Sequence, residues 1–99
     1  MIKVQDILDY SKPHKNMMEG ARHTIIFDDN VELSIVGGAK GLYGDFKETF
    51  EVAVIDKKDR TFITKFFAPE NNDDVIGYMN GDDVEKFVNK VFPKGFQVL

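Results

Sequence analysis

The chain has 99 residues and a formal net charge of −4, with 13 Lys and Arg against 17 Asp and Glu. That length supports one modest core, and a 42% hydrophobic content that includes nine Phe can fill it without covalent staples. No cysteine is present, which excludes disulfides, thiolate metal sites and cysteine catalysis.

No apolar run approaches the roughly 18–20 residues that a bilayer crossing needs. The opening MIKVQDILDYSK carries acids inside its apolar stretch, unlike a signal peptide. These features lead us to expect a cytoplasmic α+β domain over residues 1–99. Residues 1–21 would form an N-terminal helix and connector, residues 22–79 an antiparallel sheet, and residues 82–92 a C-terminal helix.

Val4, Ile7 and Leu8 stand at helical spacing, so a short helix is predicted over Val4–Tyr10. Lys12-Pro13 should end it, because the residue before proline is driven out of the helical region. His14–Gly20 reads as a connector. From Arg22 the period becomes two. HTIIF (23–27) and VELSIV (31–36) flank Asp28-Asp29-Asn30, which suits a tight turn, and together predict a hairpin with Leu33 and Ile35 facing the core.

Gly37–Asp45 holds four glycines in GGAKGLYGD and reads as a loop. Lys47–Ile55 reads as the strongest strand, with Phe50, Val52 and Val54 on one face and Glu51, Ala53 and Ile55 on the other. Lys57–Arg60 then forms a charged, solvated turn, and TFITKFF (61–67) returns as a partner strand. Ala68–Asp73 is a loop and VIGYM (75–79) a fifth strand. In the closing helix Val84, Phe87, Val88, Val91 and Phe92 recur as a core-facing stripe. Asp82 is the expected N-cap, with Asp83 and Glu85 in the first turn. Pro93 and Gly95 end the helix.

The expected architecture is an antiparallel meander of four to five strands, with the C-terminal helix packed on one face and a short N-terminal helix. Its second face, with Ala53, Ile55, Ile63 and Phe67, is partly apolar. The N-terminal helix or a second subunit would cover it, so the chain is expected as a monomer or a homodimer.

Chemistry-bearing motifs are scarce. The glycine loop invites a phosphate-cradle reading through Lys40, but it lacks P-loop spacing and leads into a strand. Its Leu42 and Tyr43 are better read as an exposed contact point. His14 and His23 lie nine residues apart without metal-ligand spacing, and no nucleophile pattern accompanies them. The pairs Asp28/Asp29, Asp73/Asp74 and Asp82/Asp83 each have a local explanation in a turn or a cap. No catalytic residue, cofactor or metal site is expected. Charge is unevenly placed: Glu70, Asp73, Asp74, Asp82, Asp83 and Glu85 fall within residues 70–85 with no Lys or Arg among them. That distribution disfavours direct nucleic-acid binding, which needs clustered cations, and favours a partner with a basic surface.

Ser34-Ile35-Val36, Leu42-Tyr43-Gly44, Phe50–Val54, Asp74–Met79 and the Asp82–Val84 helix start together resemble a diffuse group of small tailed-bacteriophage proteins, over about residues 24–92. The Asp45–Thr49 insert and the Pro69–Asp73 loop depart from any fixed pattern, and the resemblance brings no catalytic residues. It implies a non-catalytic viral product acting in the cytoplasm of a bacterial host, where it binds and modulates or inhibits a host protein, including defence systems. The expected contact residues are Leu42, Tyr43, Glu70, Asp73, Asp74, Asp82, Asp83 and Glu85. Two alternatives come from other classes. One is an acidic nucleic-acid mimic that blocks a DNA- or RNA-binding machine, and the other is a small enzyme or ligand-binding domain.

Overall fold

The structure is a computed structural model that describes residues 2–15, 17 and 19–99. Three strands make the body of the sheet: β2 (Arg22–Phe27), β3 (Val31–Gly37) and β4 (Thr49–Asp56). Leu33, Ile35, Phe50, Val52 and Val54 are wholly buried on one face, as their alternation requires. The turn between β2 and β3 falls where expected, because the Asp28 carboxylate accepts the N–H groups of Asn30 and Val31, both at 2.8 Å.

Both outer edges of this three-stranded body are covered in two pieces. Beside β2 lie β1 (Lys12–Pro13), opposite Arg22 and His23, and β6 (Gln97–Val98), opposite Ile26 and Phe27. Beside β4, β5 (Ile76–Asn80) pairs along Thr49–Val52. Residues 61–63 complete that edge with a bridge from Phe62 to Ile55. The result is an α+β fold on an antiparallel sheet in the order β1-β2-β3-β4-β5, with β6 paired to β2. The two pieces beside β2 are only two residues long each, whereas β5, at the other end of the sheet, is five.

Helices α1 (Val4–Asp9) and α3 (Gly81–Val91) lie on the same sheet face. Ile7, Val84 and Val88 are fully buried there, so the stripe on α3 is core as its spacing predicts. The buried Thr24 hydroxyl donates to the Ile7 carbonyl at 2.6 Å, which fixes α1 over β2. The Glu85 carboxylate accepts the Val4 N–H at 2.7 Å and fixes α1 to α3.

Four expectations are corrected. Residues 61–67 do not form a strand. After the bridge at Phe62 the chain turns into the short helix α2 (Thr64–Phe67), and the Thr64 hydroxyl accepts the Val54 N–H at 2.9 Å while donating to the Asp74 carbonyl at 2.6 Å. Ile63 and Phe67, four residues apart, consequently pack on the core rather than on the second sheet face. The N-terminal helix does not cover that second face either, since it sits beside α3 on the other side. The Lys57–Arg60 turn is not merely solvated: Lys57 donates to the Asp28 carbonyl at 3.0 Å and lies 4.7 Å over the Phe27 ring, and Arg60 pairs with Glu32 at 3.2 Å. Finally, the cap of α3 is Asn80 and not Asp82. The Asn80 carboxamide accepts the Asp83 N–H at 2.8 Å, which places Asp82 inside the first turn.

Candidate functional site

β5 pairs with β4 through a bulge. Phe50 stands opposite Met79 and Val52 opposite Ile76, so Gly77 and Tyr78 together face the single residue Glu51. Tyr78 takes φ +56°, a left-handed conformation that a large side chain adopts only under constraint. The constraint is the glycine-rich loop. Tyr78 N–H donates to the Tyr43 carbonyl at 2.7 Å, and Tyr43 N–H donates to Glu51 Oε1 at 3.2 Å. A Cβ on Gly77 would stand 2.8 Å from the Tyr43 Cβ, so only glycine admits this approach. The bulge therefore turns Tyr78 outward beside Tyr43, with ring centroids 5.8 Å apart and exposures of 66% and 48%.

On the core side of β5 a hollow of about 290 Å³ opens between the strand, α2 and α3. Phe67, Ile76, Met79 and Phe87 supply its apolar lining, with Glu70 and Lys90 also contributing. No strand pairs with the outer edge of β5 among the described residues.

The acids expected to form one face are divided. Asp73 and Asp74 precede β5 and Asp82 and Asp83 follow it, at opposite ends of a five-residue strand roughly 16 Å long. All four side chains are exposed, and Asp73 accepts the Asp74 N–H at 2.7 Å. Glu70 joins the hollow, while Glu85 is half-buried and engaged by Val4. Leu42 is also half-buried, in a turn closed by its N–H to the Ala39 carbonyl at 3.1 Å. The glycine loop is thus docked on β5, and Tyr43 rather than Leu42 is its exposed member.

The far end of the loop is held by Asp45. Its carboxylate accepts the N–H groups of Thr49, Glu48 and Lys47 at 2.9–3.0 Å, which hold its pKa well below the usual carboxylate range. This turn delivers Phe46, at φ +60°, into the core edge-on against Phe50.

A second cluster has no counterpart in the sequence spacing. The pairing of β1 with β2 brings the His14 and His23 rings to 4.5 Å, and with Lys12, Pro13 and Lys15 they line a cleft of about 440 Å³. Burial, then the charges of His14 and Lys12, lower the His23 pKa from its ordinary value. What conceals this cluster in the sequence is the two-residue strand Lys12–Pro13, whose apparent role is only to end α1. Asn80 and the lining of the hollow are missed for a similar reason, since both depend on where β5 pairs. No group of three or more potential metal-ligating side chains converges among the described residues, and no helix among them is long and apolar enough to cross a membrane.

Comparison with protein-family models, with curated proteins and with solved structures returns no match to this chain. The class that can be stated is therefore that of the fold, an α+β domain with its helices on one face of an antiparallel sheet.

Proposed function

We propose that the chain is a non-catalytic interaction protein that captures an extended, basic segment of a partner protein along β5. The observation that carries this reading is the apolar hollow beside an unpaired strand edge, with exposed carboxylates at both ends of the strand. Strand addition supplies main-chain hydrogen bonds, and a pocket for one side chain supplies selectivity. Burying one apolar anchor of Leu or Phe size contributes about 1.5–3 kcal/mol. Lys or Arg flanking that anchor would meet Glu70, Asp73 and Asp74 at one end and Asp82 and Asp83 at the other. On the resemblance to small tailed-phage proteins, the partner is a bacterial host protein and its modulation or inhibition is the outcome.

The division of the acids into two groups, with two tyrosines and an apolar hollow between them, favours a peptide over imitation of a continuous phosphate strip. Selection of a displayed random-peptide library against the immobilised protein tests the reading. Peptides with an apolar residue between Lys or Arg residues should be enriched. The double charge reversal Asp73→Lys, Asp74→Lys should weaken their binding about tenfold at low salt, where screening is least. Enrichment of acidic peptides, or indifference to the charge reversal, counts against it.

A further inference from the structure

We propose that the cleft between β1 and the start of β2 binds a small oxyanion of the phosphate class. Its lining is Lys12, Pro13, His14, Lys15 and His23, so every side chain there except the proline is a cation or becomes one on protonation. No carboxylate lines it among the described residues, in a chain where acids outnumber bases 17 to 13. The fold holds this basic spot together: Lys12 is the register partner of His23, and the His14 N–H donates to the Ala21 carbonyl at 2.9 Å. A hollow of about 440 Å³ leaves ample room for a tetrahedral anion.

The groups around His23 favour an anion over a metal cation. Lys12, His14 and Lys15 approach it from β1 and the segment after it, and Lys12 and His14 disfavour its protonation. Arg22, next to it in β2, is turned to Ser11, with Nε on the hydroxyl and Nη2 on the carbonyl, both at 2.9 Å. Two acids share its sheet face: Glu51, two strands away across Val36, already accepts the Tyr43 N–H, and Glu32, opposite Phe27 at the far end of the hairpin, is paired with Arg60. Two imidazoles fall short of a zinc ligand set, and ammonium groups repel a divalent cation. An anion removes the mutual repulsion of the cluster and favours the His23 imidazolium, so binding is coupled to proton uptake and strengthens as pH falls.

The test follows the imidazole Cε1–H resonances from pH 8 to pH 5 with sulfate, whose charge is constant over that range, against chloride at equal ionic strength. Sulfate should saturably raise the His23 midpoint by about half a pH unit or more, and apparent affinity should rise about tenfold across the titration. The exposed double variant Lys12→Gln, Lys15→Gln should keep the native spectrum and lose most of this response. Inorganic phosphate and glycerol phosphate, titrated in parallel, separate a free oxyanion from an esterified one, and saturable binding of either supports the site. A midpoint unchanged by about 20 mM sulfate, a response undiminished in the double variant, or saturation by zinc alone would overturn the proposal.

Discussion

At the start of α3, Asn80 and three acids stand close together in the chain, and the backbone decides which of them caps. Asn80 is extended, at φ −76° and ψ 170°, and its side chain reaches the Asp83 N–H, whereas Asp82 lies within the first helical turn. Asn80→Ala should therefore cost about 1 kcal/mol in urea unfolding, while Asp82→Ala should cost no more than a few tenths through the helix dipole. Equal losses would return the cap to Asp82. Asp45 makes a prediction in pH. Its folded pKa lies below its unfolded value of about 3.9, so its contribution is complete above that pH and is lost as pH falls toward the folded value. The stability difference between wild type and Asp45→Asn should be present at pH 7 and should shrink steadily below about pH 4. A difference constant with pH would show that the three N–H groups do not depend on the carboxylate's charge.

Among the elements, those with an internal period are legible in the sequence and those defined by a neighbour are not. β2 alternates throughout and β3 does so from Glu32 to Ile35, on either side of an Asp-Asp-Asn turn, and α3 carries its stripe from Val84 to Val91, so each can be read locally. Residues 61–67 mislead because Phe62 and Thr64 suggest alternation, while Ile63 and Phe67 obey the helical i, i+4 spacing that prevails once the Thr64 hydroxyl takes over the ladder at Val54. β5 is legible as a strand, but its bulge is not, because Tyr78 turns outward only when the glycine loop reaches it. Gly77→Ala tests that dependence. The added methyl meets the Tyr43 Cβ, so stability should fall by about 1–3 kcal/mol and the Tyr43 ring resonances should move away from those of Tyr78. Unchanged stability and unchanged rings would show the loop undocked.

Across the whole molecule, the sheet has, among the described residues, one face filled by α1 and α3 and one face without a helix. Charge is distributed over it in two opposed places: carboxylates at both ends of β5, and imidazoles with ammonium groups between β1 and β2. The acidic half of this arrangement is legible in the sequence, because six acids within residues 70–85 need no fold to be noticed. Its geometry is not legible. Only the pairing of β5 with β4 separates those acids and sets the hollow between α2 and α3 beside them, and only the pairing of β1 with β2 gathers the basic cleft. Capture of a basic segment along β5 is tested most directly by amide chemical-shift mapping of a peptide enriched from the random library. The expected result is shifts concentrated at Ile76–Asn80, Phe87 and Lys90 that fade as salt rises. Shifts confined to other faces of the protein, or no enriched peptide at all, would contradict it.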